Sequence, residues 1–487
     1  MSEANPDRAP PIGWLLAALI VSAPSPALAE PPATPQRWPN EMQAESPKSG
    51  DQGRGSQIVI FGGGYAPYGN QASIEAHAAA VFEAFKDRGP ILVFGSPNLE
   101  SPSVQESDPN RQNELDVVLG ILWEREQDLF VRYRPQRLLA TSPLTKEGLL
   151  RALRSATTST RGAAIFGVGH GAAADEHNPA AIQLWGREEL TVDDLETTLD
   201  DARPSGPVAF VLGHCYSGAF TALATRSHEG PARCVLAAVP EGRPAAGCTP
   251  DVAHPDAKAY VHAIAQALTD PAADLDGDRR ISLLEAHTAA RIHDATIDVP
   301  VSSVEALLEK AAPRNRRAPP LDRLVKAARL EERAILERLA PSARSLPDAL
   351  AQKRSLDREA SALNAKIERL EDDARALVEE IREALFVRWP ELSNPIHPTA
   401  RELLADHPRA IARAASEHRR MPDLQHVRGE LEGDNASLLE LERKLARLER
   451  WIRSANIVSN ELVVRSTGTR AERAALDRLL ACERMVP

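Results

Sequence analysis

The chain has 487 residues, a formal net charge of −11 and a pI of about 5.7. This length predicts two or more domains, and the acidic balance argues against a nucleic-acid-binding surface. Four cysteines are too few for a fold held together mainly by disulfides.

The N-terminus carries a pattern typical of a secretory signal peptide. The apolar residues 14–21 are too short for a stable membrane span, and Ala27-Leu28-Ala29 matches a cleavage site. Cleavage of residues 1–29 would leave 30–55 as a disordered linker and place the chain in the periplasm or outside the cell, with no stable membrane span. The weak basic region before the apolar segment leaves an alanine-rich leader as the alternative.

Five apolar runs predict β-strands, and helical patterns lie between them. The runs are residues 58–61, 91–94, 163–168, 208–212 and 234–239. Ser73 is positioned to cap the first helix. Strands that alternate with helices predict an α/β fold, here three α/β/α layers around a mostly parallel sheet over residues 56–310.

Residues 320–487 have a different character. Leucine recurs every seventh residue at 356, 363, 370 and 377, and a second seam runs from Leu438 to Ile452. These repeats predict a helical, coiled-coil region, either an antiparallel hairpin or an arm through which the chain self-associates.

His170 and Cys215 are the candidate catalytic residues. Each follows an apolar run and adjoins glycine, at the carboxyl end of a predicted parallel strand where α/β enzymes bind and react. If those strands are neighbours, His170 can act as base for the Cys215 nucleophile, and the amides of Gly171 and Cys215 can form an oxyanion hole. The alternative for Cys215 is a small core residue.

At these residues the chain resembles the caspase-like cysteine peptidases, a group that includes legumains, metacaspases and gingipains. Gly169-His170-Gly171 and His214-Cys215-Tyr216-Ser217-Gly218 match the two halves of the group's catalytic pattern in the expected order. Further stretches look like a secreted bacterial branch of the group. They are Gly62-Gly63-Gly64, Asn70 to Glu75, Leu184-Trp185-Gly186 and Arg243 to Pro250.

The resemblance covers about residues 57–310 and implies a His/Cys dyad with specificity for the residue before the cleaved bond (P1). Caspases recognise an acidic P1 with an arginine and with a glutamine two places before the nucleophile. Gly213 occupies that place here, so aspartate specificity is not expected. Arg243 is a candidate for lining the P1 pocket or a surface arginine, and His214 either lines the pocket, assists the dyad or packs.

Residues 274–285 have the spacing of an EF-hand calcium loop. Oxygen donors are expected from Asp274, Asp276, Asp278, the Arg280 carbonyl, Ser282 and Glu285. The sixth position is Arg279 where glycine is usual, and a left-handed backbone at a bulky residue costs about 1 kcal/mol. We therefore expect weak Ca²⁺ binding, with a metal-free acidic turn as the alternative; the resembling family often carries such a loop here.

Cys234 and Cys248 flank the fifth strand and its turn. In an oxidising compartment they could form a disulfide, although two free thiols fit equally well, and Cys482 has no obvious partner.

The expected function is therefore that of a cysteine endopeptidase acting on peptides or proteins, without nucleic acid as a partner. Two alternatives use the same residues. One is a catalytically silent scaffold whose coiled coil recruits partners, and the other is a transpeptidase.

Overall fold

The computed structural model describes residues 42–43, 55–108, 120, 130–226, 230–312, 319–341, 345–394 and 397–487. The expected signal peptide, residues 1–29, and nearly all of the expected linker lie outside these ranges. Every helix within them is too short or too polar to cross a bilayer.

A six-stranded, mostly parallel sheet forms the centre of the α/β fold. The strands of the described part are β1 Met42–Gln43, β2 Gln57–Gly63, β3 Ile91–Phe94, β4 Val104–Ser107, β5 Val131–Arg134, β6 Leu138–Leu139, β7 Ala163–Gly169, β8 Gly171–Ala172, β9 Ala181–Leu184, β10 Glu188–Thr191, β11 Val208–Gly213, β12 Arg233–Ala237 and β13 Val301–Ser302. The central order is β13-β12-β11-β7-β2-β3, in which only β13 runs antiparallel. Both faces of its middle strands are buried, which explains why these segments read as continuous apolar runs.

Helices cover both faces of this sheet. The α-helices of the described part are Ala72–Phe85, Lys146–Ala156, Val192–Ala202, Ala222–Thr225, Tyr260–Ala267, Leu283–His293, Ser303–Ala311, Leu321–Ala327, Leu330–Arg338, Leu346–Arg388, Pro398–Asp406, Pro408–Ser416, Met421–Thr467 and Arg470–Glu483. Ile58 and Ile60 pack with the first, fifth and sixth of these in one core. Val59 and Phe61 point the other way, into a core with the second and third.

The predicted α/β class and mostly parallel sheet are confirmed. All five predicted strands are present and form its parallel part, whereas the short antiparallel strand β13 was missed because two residues carry no detectable periodicity. The predicted cap was wrong. Gln71 is the cap residue, and the Ser73 hydroxyl instead donates to the Gly247 carbonyl at 2.6 Å.

The described residues form two compact units. The first, here called the sheet unit, comprises Pro39–Ser107, Arg132–Arg354 and Arg443–Pro487. The second, the helical unit, contains Ser355–Glu442. Residues 443–487, which the sequence groups with the helical region, therefore belong to the same unit as the sheet.

The long C-terminal helical region is confirmed. In the helical unit, Ile367 and Leu370 pack against Leu431. Lys366 pairs with Asp434 at 2.7 Å, while Glu380, further along, pairs with Arg419 at 2.8 Å, so the two helices run antiparallel. Part of the predicted seam is therefore buried between two helices of one chain.

A disulfide joins strand β12 to the last helix. Cys234 bonds to Cys482, with their Cα atoms 6.0 Å apart, while Cys215 and Cys248 are free thiols. The considered Cys234–Cys248 disulfide is thus wrong. The two cysteines are 248 positions apart in sequence, and local sequence patterns do not reveal pairing over such a separation.

This bridge is expected to stabilise the sheet unit. Replacing Cys234 and Cys482 together by alanine should lower the free energy of unfolding by about 2–4 kcal/mol, because the unfolded chain gains conformational freedom. Urea unfolding measures the change, and the Cys248→Ala variant is the control with its bridge intact. Non-reducing peptide mapping that linked Cys234 to Cys248 would contradict the assignment.

Candidate active site

His170 and Cys215 follow the carboxyl ends of two neighbouring strands of the central sheet. Strands β7 and β11 are parallel neighbours in which Val168 is opposite Gly213, and each candidate residue lies two positions further on. The backbones are so close that a side-chain carbon at Gly171 would lie 2.1 Å from the Cys215 carbonyl oxygen. Glycine at 171 is therefore required for this approach.

The ring of His170 is fixed by two oxygen atoms. Its Nε2 lies 2.7 Å from the Gly69 carbonyl oxygen and 2.9 Å from Oε1 of Gln71. A carbonyl oxygen can only accept, so Nε2 carries the proton and Nδ1 has the free lone pair. The edge of Tyr65 packs against the ring, with centroids 5.3 Å apart. This tautomer suits a base that takes a proton through Nδ1.

Burial determines the protonation state of the histidine. Desolvation lowers the pKa of His170 below its ordinary value of 6.5, although the hydrogen bond to Gly69 opposes this change. His170 is therefore neutral at pH 7.

The Cys215 thiol is held by a backbone amide. The Ala245 amide donates to Sγ at 3.3 Å, and Sγ is 3.8 Å from the Ala245 carbonyl oxygen. Burial, followed by the effects of Cys248 and Asp298, raises the pKa of Cys215 to about 12, while the Ala245 hydrogen bond lowers it. The resting pair is consequently a neutral thiol and a neutral imidazole rather than a thiolate–imidazolium ion pair.

The segment 243–249, here called the 243–249 loop, connects the surroundings of the thiol. The Arg243 carbonyl accepts from the Tyr216 amide at 2.8 Å, and the Cys248 thiol is 3.7 Å from the Gly169 carbonyl oxygen. Burial raises the pKa of Cys248 to about 12. The loop thus contacts the chain just beyond β11 and the last residue of β7.

The buried Asp298 side chain holds the 243–249 loop through a hydrogen bond. Its Oδ1 accepts from the Ala246 amide at 2.8 Å, one residue after the amide that contacts Cys215. Burial and the neighbouring Asp294 raise the pKa of Asp298 to about 8.

The candidate oxyanion donors have one structural feature in their favour. The Cys215 amide lies near its own sulfur, which lowers the thiol pKa, and no carbonyl partner for it is found in the described part of the chain. Gly171 faces the Cys215 carbonyl oxygen from the neighbouring strand end.

The three candidate pocket residues lie in different surroundings. Gly213 packs against Val261, and His214 is buried with its ring 5.2 Å from that of Phe220. Burial lowers the pKa of His214 to about 4. Arg243 is partly exposed and pairs with Glu449 at 3.0 Å. Of the three, only Arg243 presents a charged group near the site, and that charge is already paired.

The acidic loop brings three of its candidate ligands together. Carboxylate oxygens of Asp274, Asp276 and Asp278 lie within 4.8 Å of one another. Asp274 accepts from the Arg279 amide at 2.9 Å, and Arg279 has the expected positive φ, +66°.

Glu285 does not join the aspartates. Its Oε2 accepts from the Ser282 amide at 2.9 Å as part of a capping box, and Oε1 accepts from Leu275 at 2.8 Å. The carboxylates of the triplet fit a hard cation such as Ca²⁺, whereas Glu285 would have to leave the cap to bind it.

Sequence reasoning missed four residues of this site: Gly69, Gln71, Ala245 and Asp298. Gln71 follows the glycine-rich loop, in a stretch that resembles the peptidases, so the sequence could have identified it as a site residue. Ala245 also lies in a resembling stretch, but its contact with Cys215, like that of the Asp298 carboxyl with Ala246, crosses a long sequence separation and leaves no local signal.

No protein-family model matches the chain, and no curated protein sequence matches it significantly.

The neutral thiol can be tested by alkylation. Between pH 7 and pH 8 the rate of Cys215 modification by iodoacetamide should rise about tenfold, because the thiolate fraction rises tenfold per pH unit below the pKa. Peptide mass spectrometry separates Cys215 from Cys248, and a Cys248→Ser variant is the control. A rate independent of pH in this range would indicate a preformed thiolate and contradict the neutral pair.

Proposed function

We propose that the chain is a caspase-like cysteine endopeptidase that hydrolyses peptide bonds through His170 and Cys215. The observation that carries this proposal is the parallel, in-register pairing of β7 and β11, whose neighbouring carboxyl ends lead to a histidine with a fixed tautomer and to a free thiol. The central strand order and the helices on both faces support a caspase-like domain, and the antiparallel helices support a coiled-coil hairpin.

The proposed reaction begins from the neutral pair. Cys215 Sγ attacks the scissile carbonyl carbon while His170 Nδ1 takes the thiol proton. The negative oxygen of the tetrahedral intermediate is stabilised by the amides of Cys215 and Gly171. The carbon–nitrogen bond then breaks, His170 gives its proton to the leaving amine, and water hydrolyses the remaining thioester with His170 as base.

The substrate is proposed to be a peptide without an acidic P1 residue. Arg243 is a cation near Cys215 that could bind an acidic P1 side chain. Its charge is already paired with Glu449, which disfavours that binding. Placement in the periplasm or outside the cell is supported by the Cys234–Cys482 bridge, because such bridges persist in oxidising compartments.

A silent scaffold remains the second candidate, and one observation favours it. The Cys215 thiol is partly buried, and burial raises its pKa to about 12, so very little thiolate is present at neutral pH. Substrate binding would have to displace water and orient the thiol for attack.

A peptide library with mass-spectrometric product analysis tests the proposal. The chain should release cleaved peptides at non-acidic P1 positions, and Cys215→Ala or His170→Ala should each lower kcat at least about 1,000-fold, because either change removes half of the dyad. Cys248→Ser is the matched thiol control. Absence of turnover would favour the scaffold, and ligated peptides would indicate a transpeptidase.

The pH profile is a further measure of the same experiment. Because the pKa of His170 is lowered, the acidic loss of kcat/KM should have its midpoint below pH 6.5, where the imidazole gains a proton and no longer acts as a base. A midpoint above this value would contradict the neutral buried histidine.

We also propose that the 274–285 loop binds Ca²⁺ weakly. Millimolar Ca²⁺ should raise Tm by about 2–4 °C for each kcal/mol of binding free energy. The double variant Asp276→Asn, Asp278→Asn should remove this shift, because asparagine retains the acceptors for the loop amides and loses the charge.

Asp270→Asn is the matched control for calcium. Asp270 makes a similar bond, to the Ala272 amide, outside the triplet. An unchanged Tm of the parent protein in Ca²⁺ would leave a metal-free acidic turn.

A further inference from the structure

The loop that contacts the Cys215 thiol depends on the buried carboxyl group of Asp298. Asp298 is fully buried, and its two oxygens accept from the Ala246 amide at 2.8 Å and the Tyr260 amide at 3.4 Å. It thereby fixes both the 243–249 loop and the first residue of helix Tyr260–Ala267.

Asp298 is in turn held by an arginine on a C-terminal helix. Arg450 lies on the helix Met421–Thr467, within the part that belongs to the sheet unit. Only 2% of the Arg450 surface is exposed. Its guanidinium donates to the carbonyl oxygens of Asp294, Thr296 and Asp298, the last at 2.7 Å. One planar group thus satisfies three buried backbone acceptors of a segment without regular structure.

These contacts lead in short steps to the reactive sulfur. Arg450 fixes the 294–298 segment, Asp298 fixes the Ala246 amide, and the preceding amide donates to Cys215 Sγ at 3.3 Å. Donation by this amide favours the thiolate that forms during attack. A displacement of about 1 Å at this point can reduce a rate about 100-fold.

We propose that Asp298 and Arg450 are positioning residues for the Cys215 nucleophile, so that the C-terminal helix is an integral part of the active site. This inference rests on the proposed peptidase function. It assigns a role to residues 443–487 that their helical pattern does not suggest.

The charge of Asp298 provides a signature that a purely structural role lacks. The groups that raise the pKa of Cys215 are Cys248 and Asp298, and those that act on Asp298 itself are Asp294 and Arg450. With a pKa of about 8, Asp298 ionises above that pH and then opposes thiolate formation. The alkylation rate of Cys215 should therefore rise less steeply above pH 8 than below it.

Variants of Asp298 separate its charge from its hydrogen bonds. Asp298→Ala removes the acceptor for Ala246, so kcat should fall about 100-fold with KM within about threefold. Asp298→Asn keeps the Oδ1 acceptor, so kcat at pH 7 should remain within about threefold of the parent value, and the break in the alkylation profile near pH 8 should disappear.

Arg450→Ala is the second arm. It should lower kcat as Asp298→Ala does and move the alkylation break to higher pH, since Arg450 lowers the pKa of Asp298. Arg447→Ala is the matched control. Arg447 lies one turn earlier on the same helix, is exposed and contacts the Arg338 carbonyl at 3.2 Å, so neither readout should change.

The stability of each variant is first measured by urea unfolding, and the kinetic experiments are done under conditions in which every variant is fully folded. Parent-like kcat for Asp298→Ala or Arg450→Ala under those conditions would overturn the proposal, as would a break near pH 8 that persists in Asp298→Asn. Alkylation needs no substrate. If no peptide is cleaved, the proposed function fails, while the alkylation profile still decides whether Asp298 acts on the thiol.

Discussion

The pairing of β7 with β11 is the constraint on which the site depends. Parallel strands in register bring their carboxyl ends to the same edge, so the strand ends that lead to His170 and Cys215 are neighbours although a whole crossover separates them in sequence. The approach is close enough to require glycine at 171. A shift of one residue in this register would turn every side chain of the strand to the opposite face, and both buried cores fix it against such a slip.

Burial then determines the electrostatics. Removing water disfavours charge on either member, so the pKa of His170 falls and that of Cys215 rises. When both groups are neutral, the protein avoids the desolvation cost of an ion pair in a partly buried site. The hydrogen bonds of His170 to Gly69 and Gln71 fix the tautomer without adding charge, and the Ala245 amide supplies a dipole where negative charge develops on sulfur.

The C-terminal helices add a second level of organisation. Residues 443–487 belong to the sheet unit, where the Cys234–Cys482 bridge ties the last helix to β12. Ion pairs support this attachment, among them Arg453 with the buried Glu305, whose carboxylate would otherwise lack a partner in the interior. The same attachment allows Arg450 to donate to backbone carbonyls of the 294–298 segment.

The sequence by itself determined the α/β class, the five parallel strands and the positions of His170 and Cys215 after two of those strands. It could do so because strand burial, turns and strand ends are written locally, in apolar runs that stop at glycine. Only the tertiary structure decided the partner of Cys234, the cap role of Glu285 and the contacts of Asp298 and Arg450. The bridge and the contacts of Asp298 and Arg450 join residues far apart in sequence, and the partners of Asp298 and Arg450 are backbone groups, which every residue carries and which leave no trace in side-chain patterns. The Glu285 cap is local, but the Ser282–Glu285 spacing serves a capping box and a calcium loop equally, so the fold had to decide between them.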